Sequence, residues 1–219
     1  MITKKTFDFL KSLKKNNNRE WFNANKEKYE FAKNEFEVFI EALIIEITKF
    51  DKEISGLKAR ECIFRIYRDV RFSKDKSPYK NHFGAFITYH GKNSNGPGYY
   101  IHLEPGNCFL AGGIYQPESE KLNLIRKEIA FNFKYFKKIL ANSEFVKYFE
   151  GLSVMDKLKT APKGFPKDHP YIEILKNKSF IVSRKIGDKS VLEKNFLQES
   201  LKIIKAIRPL NKFLNTSLD

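Results

Sequence analysis

Basic and aromatic residues are concentrated between residues 64 and 82 of this 219-residue chain. Three of its eight arginines fall within seven residues there. Guanidinium groups suit the paired oxygens of phosphate and carboxylate, and nearby lysines add positive charge. The stretch therefore indicates a candidate anion-binding site. Its predicted members are Arg65, Arg68, Arg71, Lys76, Tyr79, Lys80 and His82.

The spacing of Arg68 also allows a purely structural interpretation. Alternate residues of a strand share one face, so Arg68 would point with Phe64, Ile66 and Val70 toward a side that looks like core. An unpaired buried charge is costly. We therefore expect Arg68 to be substantially buried and to make a charge-assisted hydrogen bond, either with a bound anion or with a carboxylate from a helix.

The other chemistry-bearing residues predict no metal site and leave any cofactor unknown. The four histidines, His82, His90, His102 and His169, include no pair with the i, i+2 or i, i+4 spacing of metal ligands. His82 and His102 could still meet across a sheet. The two cysteines have no C-x-x-C spacing, and neither a Walker lysine loop nor a G-x-G-x-x-G loop is present. No catalytic residue can be assigned.

The elements that must position these residues change character at residue 61. Helical periodicity predicts helices before and after a block of alternating polar and apolar residues that predicts strands. Helices are predicted over 3–14, over 20–50 as one long helix or two shorter ones, and over 118–140, 171–176 and 189–213. Strands are predicted over 61–70, 83–89, 99–103, 108–115 and 180–183. Short connections favour antiparallel neighbours. The predicted class is α+β, an antiparallel β-meander of four to five strands flanked by N-terminal and C-terminal helices, in a single domain over residues 1–219.

Two details of the N-terminal region are also predicted. The asparagine run 16–18 breaks the first helix and offers an N-cap for the next one. Trp21 and Phe22 lie on the apolar stripe of that next helix, so both rings are expected to pack into the core.

The net charge of +15 invites a nucleic-acid interpretation. However, 33 of the 41 basic residues are lysines, and Lys, Asn, Ile and Phe are all abundant. These residues share A/T-rich codons, so part of the lysine excess reflects base composition. No base-reading motif is present. Nucleic acid is therefore expected to bind weakly at most.

Apolar runs in the chain are too short to span a bilayer, and the N-terminal segment lacks the apolar region of a signal peptide. A cytoplasmic protein without membrane partners is expected. The oligomeric state is not predicted.

The central block resembles a known family, the one catalogued as domain of unknown function 2461. The resemblance is carried by residues 65–73 (RIYRDVRFS) and 75–80 (DKSPYK), and by the pairs Asn16-Asn17 and Trp21-Phe22, the strand 99–103, Gly113 with residues 115–117, and residues 162–165. It extends over essentially the whole chain. It implies a bacterial-type soluble domain without established catalytic residues. One departure is Asn81 before His82, where a small hydroxyl residue such as Thr is expected.

The resulting functional hypothesis is a basic Arg/Lys/Tyr pocket for a small phosphate- or carboxylate-bearing ligand. In it the three arginines clamp the anion, Lys76 and Lys80 close over it, and Tyr79 or His82 supplies any proton transfer. The alternative is an open basic groove that binds nucleic acid weakly, with strand tyrosines stacking on bases. A third possibility is a structural role without a pocket.

Overall fold

The computed structural model describes residues 1–89, 91–154 and 156–218. His90, one of the four histidines considered above, lies outside the described residues. The described elements are α1 (Lys4–Lys15), α2 (Arg19–Ala24), α3 (Lys26–Thr48), α4 (Ala59–Cys62), β1 (Phe83–Ile87), β2 (Gly98–Leu103), β3 (Cys108–Ile114), α5 (Ser119–Phe131), α6 (Phe133–Leu140), α7 (Ser143–Tyr148), α8 (Ile172–Leu175), β4 (Phe180–Ile186), α9 (Asp188–Val191) and α10 (Phe196–Thr216), with short 3₁₀ helices at Lys52–Ile54 and Gly91–Asn93.

The four strands form one antiparallel sheet in the order β1-β2-β3-β4. Phe83 pairs with Leu103 across β1 and β2, and His102 pairs with Phe109 across β2 and β3. Strand β4, which arrives 66 residues after β3 in the chain, completes the sheet by pairing Ala111 with Ser183. The predicted α+β class and the antiparallel meander flanked by helices are confirmed.

The prediction of a regular strand over residues 61–70 is wrong. Cys62 ends α4, and the following segment makes only isolated bridges, Ile63 with Ala85 of β1 and Tyr67 with Tyr79. The apolar alternation is nevertheless real, because Ile66 is buried between two exposed neighbours. The segment changes partner midway, from β1 to residues 78–80, so it cannot extend one hydrogen-bond ladder.

The N-terminal helices form as the sequence predicts. In α1 the apolar face is buried through Phe7, Leu10 and Leu13. The Asn18 side chain accepts a hydrogen bond from Trp21 N at 2.8 Å and so caps α2. Phe22 is fully buried, as expected, whereas Trp21 is only partly buried and stacks on Phe9 at the edge of the core.

The strands divide their side chains between two faces. The inner face packs against the helices, and its buried members are Phe83, Ala85, Ile87, Tyr99, Ile101, Leu103, Leu110, Ile114, Phe180 and Val182. Helix α10 lies very close to it: a Cβ added to Gly112 would stand 2.3 Å from Ile207 Cγ2. Asn211 of α10 also donates a hydrogen bond to Gly98 O at 3.0 Å. Because neighbouring strand residues alternate, the opposite, outer face carries Phe86, Tyr100, His102, Phe109, Ala111 and Ile181.

Within the described residues, no helix combines the length and the apolar composition needed to cross a bilayer.

Gly113 is the position in β3 where a side chain should be least tolerated. Its φ is +111°, and an added Cβ would stand 2.0 Å from Phe180 O in the neighbouring strand. Gly113→Ala is therefore expected to reduce the free energy of unfolding by about 3 kcal/mol or more. Gly106→Ala is the matched control, since Gly106 also has a positive φ but faces open space. It should cost only about 1–2 kcal/mol. Urea denaturation of both variants tests this, and equal losses would contradict the close approach of β3 and β4.

Candidate functional site

The outer face of the sheet forms the floor of a cavity of about 590 Å³. Its walls come from the irregular segment after α4, from the loop 92–96 and from the segment 114–118 that follows β3. The lining residues are Phe64, Phe86, Lys92, Ser94, Asn95, Gly96, Tyr100, Phe109, Ala111, Gly112, Gly113, Ile114, Tyr115, Gln116, Pro117, Glu118 and Ile181. We call this space the sheet cavity.

Small residues at the floor and aromatic rings around it give the sheet cavity its shape. Phe109, Ala111 and Gly113 alternate onto the outer face, and the last two are small, so the centre of β3 projects almost no side-chain volume into the cavity. Gly84 in β1 also leaves space on this face, because a Cβ there would stand 2.8 Å from Tyr100 Oη. The Tyr100 ring can therefore lie across β1. Tyr100 and Phe109 face each other at 5.6 Å between ring centroids.

A hydrogen-bonded row of side chains runs along the end of β2 beside the cavity. Tyr100 Oη lies 3.0 Å from His102 Nδ1, and His102 Nε2 lies 3.3 Å from Glu104 Oε2. The three residues alternate along the strand, so all point to the outer face. Phe109, which lines the cavity, stacks on the His102 ring at 4.6 Å. The row therefore adjoins the cavity wall.

Burial and hydrogen bonds set the protonation states of Tyr100, His102 and Glu104. Burial raises the pKa of Tyr100 to about 12, so the phenol remains protonated at neutral pH. It also lowers the pKa of His102, against the opposing effect of Glu104. Desolvation would raise the pKa of Glu104, but hydrogen bonds from Asn107, His102 and Lys14 more than offset it, and the net shift is downward. A neutral imidazole beside a carboxylate is the resulting state at neutral pH.

His82 joins the row from the segment before β1. Its ring centroid lies 4.2 Å from that of His102, so the two histidines do meet, as the sequence left possible. Burial, followed by the effects of His102 and Lys80, lowers the pKa of His82 to about 4. Among the described residues, the ring nitrogens of His82 have no hydrogen-bond partner.

Arg68 is engaged by its own loop. Its guanidinium bonds Asp75 Oδ2 at 2.5 Å, Ser77 O at 3.1 Å and Ser73 Oγ at 3.3 Å. The Asp75 carboxylate also accepts from the Ser77 hydroxyl and amide, and these bonds together with Arg68 lower the pKa of Asp75 to about 2. The predicted charge-assisted bond is present, with a carboxylate of the same loop rather than of a helix. The Arg68 side chain is 25% exposed, so its burial is partial.

Arg71 and Lys76 are likewise occupied within the loop. Arg71 forms a bidentate pair with Asp69, which lowers the pKa of that carboxyl. Lys76 Nζ donates to Val70 O at 3.0 Å. Arg65 is exposed and makes no ion pair within the described residues. The seven predicted residues thus do not converge as one clamp.

Tyr79 belongs to the core. It stacks on Phe22 at 3.9 Å, and its backbone is held by Asn17, whose amide donates to Tyr79 O at 2.9 Å and accepts from Tyr79 N at 3.1 Å. This two-bond contact fixes the end of the loop against the corner between α1 and α2. Lys80 and His82, which follow within three residues, are thereby positioned beside the sheet cavity.

Lys80, like Arg65, is a predicted cation that keeps an available charge. Its ammonium lies 5.4 Å from the centroid of Phe64, a ring that lines the sheet cavity. Burial, and then the nearby Arg65, lower its pKa. In the described part of the chain no carboxylate pairs with it.

Sequence reasoning missed the row Tyr100, His102 and Glu104 and the ring Phe109. The alternating spacing 100, 102 and 104 at the end of a predicted strand was the available signal. It indicates one shared face, but the charge density of residues 65–80 drew attention to the preceding loop.

The comparisons with known proteins identify a family and give no function. The model of a family described as "Conserved hypothetical protein (DUF2461)" matches residues 5–213. No curated protein and no solved structure matches the chain.

The pKa of His82 gives a pH-dependent prediction. The folded value of about 4 lies below the ordinary value of 6.5. Between these values the unfolded chain takes up a proton that the folded chain does not. Stability is therefore expected to fall as the pH decreases from about 6.5 to about 4, and His82→Gln should reduce this dependence. Urea denaturation across that range, together with an NMR titration, measures both effects. A His82 resonance that titrates near pH 6.5 would contradict the buried placement of its ring.

Proposed function

Since the chain belongs to this family of conserved hypothetical proteins, DUF2461, whose description names no activity, we propose a function from the sheet cavity: it binds a small, flat, largely apolar metabolite that carries a carboxylate or a phosphate. The apolar body would lie on the floor formed by Ala111 and the glycines of β3. Phe64, Tyr100 and Phe109 would contact its faces and edges.

The observation that carries this proposal is the position of Lys80. A partly buried ammonium that lacks a carboxylate partner is costly, and it is stabilised when an anion binds beside it. Lys80 lies over Phe64 at the wall of the cavity, so an acidic group at that edge would pair with it while the rest of the ligand contacts the rings. Arg65 adds positive charge nearby, as its effect on the Lys80 pKa shows.

In this proposal the predicted basic residues have different roles. Arg68, Arg71 and Lys76 order the loop through contacts with Asp75, Asp69 and Val70 O rather than holding the ligand. Lys80 pairs with the acidic group. Tyr100 lines the cavity and His82 lies against the neighbouring His102, so both would supply polar groups near the ligand's acidic end.

Fragment binding tests the location and the charge requirement together. We expect aromatic acids to raise the melting temperature of the protein and neutral analogues of the same shape to do so much less. Ala111→Phe should abolish binding by filling the floor of the cavity. Lys80→Met should weaken acid binding about tenfold, the loss expected for one charge-assisted hydrogen bond.

The matched control is Lys74→Met, which removes an exposed lysine from the neighbouring loop and should leave affinity unchanged. Circular dichroism verifies that each variant is folded. The proposal would be overturned if Ala111→Phe bound acids normally while Arg65→Ala or Arg71→Ala did not, because the ligand would then occupy the arginine-rich loop.

Nucleic-acid binding by the same basic surface is the second candidate, and Phe72 favours it. This ring is 97% exposed, and the Arg71 guanidinium lies 5.9 Å from its centroid. Exposed rings beside cations can stack on single-stranded bases. However, Arg71 is already paired with Asp69, and scattered lysines supply only a salt-dependent term.

We therefore expect single-stranded DNA or RNA to bind without sequence preference and with an affinity that collapses as salt rises. Fluorescence anisotropy at two salt concentrations measures this. Sub-micromolar affinity that persists near physiological salt, and that is lost in Phe72→Ala, would instead establish the nucleic-acid function.

A further inference from the structure

Three side chains at the end of the sheet bring metal-binding atoms together. His82, His102 and Glu104 each offer one ligand atom, and these atoms all lie within 4.8 Å of one another. The His102 Nε2 to Glu104 Oε2 distance is 3.3 Å. A tetrahedral metal with bonds of about 2.0–2.2 Å separates neighbouring ligand atoms by about 3.3 Å. One pair already has that separation, and the His82 nitrogen, which lies within 4.8 Å of both, would move closer to complete the set.

The state of His82 is a second, independent observation. The half-buried His82 ring lies against the His102 ring without a hydrogen bond between them, and His82 has no hydrogen-bond partner elsewhere among the described residues. Its ring nitrogens are therefore not committed to another protein group. A cation bound between the two rings would give His82 the partner that it lacks.

The surrounding contacts suit coordinated ligands. Metal-bound histidines commonly use their second ring nitrogen to bond a neighbouring group that fixes the ring. His102 has such a neighbour, because its Nδ1 lies 3.0 Å from Tyr100 Oη. The Glu104 carboxylate is held by Asn81 Nδ2 and by Asn107 Nδ2, each at 3.1 Å. Both ligands are therefore oriented before any metal arrives.

From this geometry we propose that His82, His102 and Glu104 bind a single divalent transition-metal ion, with zinc as the first candidate. Two imidazoles and one carboxylate form a ligand set that zinc accepts, with the fourth position left for water or an anion. When the metal binds, His102 Nε2 gives up its hydrogen bond with Glu104, and a proton on Nδ1 donates to Tyr100 Oη instead. The site goes beyond the proposed metabolite binding and does not depend on it.

Substitution of Lys14 distinguishes a metal site from a cluster that only stabilises the fold. The Lys14 ammonium lies 3.3 Å from Glu104 Oε1 and is largely exposed. A positive charge there opposes a cation bound to the same carboxylate. Replacing it with a neutral residue should therefore tighten metal binding several-fold, without touching a ligand.

The experiment is a titration of the untagged, EDTA-treated full chain with Co²⁺, followed by displacement with Zn²⁺ and without any organic ligand. We expect one equivalent to bind, with the visible absorption of a low-coordinate Co²⁺ site. His82→Gln, His102→Gln and Glu104→Gln should each weaken binding at least tenfold. Lys14→Gln should strengthen it several-fold.

His169→Gln is the matched control, because His169 is also partly buried but lies far along the chain on the loop before α8. It should bind Co²⁺ as the unaltered chain does. The absence of a Co²⁺ band in the unaltered chain would overturn the proposal. So would unchanged binding in both His82→Gln and Lys14→Gln, two substitutions outside the core that keep the result interpretable if another variant fails to fold.

Discussion

The close packing of α10 on β3 is the constraint on which the rest of the structure depends. Ile207 occupies the space that a side chain at Gly112 would need, so the helix lies directly against the strand and seals the inner face of the sheet. Asn211 reinforces the contact by bonding Gly98 O. Since strand residues alternate, sealing one face turns Tyr100, His102 and other side chains of the same strands outward. The sheet cavity and the histidine cluster both follow from that division.

The arginine-rich loop, residues 68–77, positions the site and does not line the sheet cavity. Arg68, Asp75 and Ser77 bond one another, and Asn17 then holds the end of the loop through the backbone of Tyr79. Pairing of this kind commits the guanidinium groups of Arg68 and Arg71 to Asp75 and Asp69 before a ligand can use them. The chain leaves the loop with Lys80, which therefore carries an available charge beside the cavity.

The sequence predicted helices and strands better than it predicted which side chains contact each other. The periodicity predicted the four strands from Phe83 onward and the main helices, because burial of one face imposes a repeat. It failed for residues 61–70, where buried and exposed side chains alternate as predicted but the backbone changes its hydrogen-bond partner. The position of Arg68 suggested burial, yet among the described residues the buried arginine is Arg126, which donates to Leu175 O and Asn177 O. Such contacts join residues far apart in the chain, and spacing alone does not encode them.

Chemical-shift mapping with an aromatic acid tests the central claim most directly, namely that the outer face of the sheet is the binding surface. An isotope-labelled sample titrated with the acid reports which backbone amides change environment. The account predicts that the largest shifts fall on β2 and β3 around Tyr100, Phe109 and Ala111, and on Lys80. Shifts confined to residues 68–77, with the strands unaffected, would contradict it.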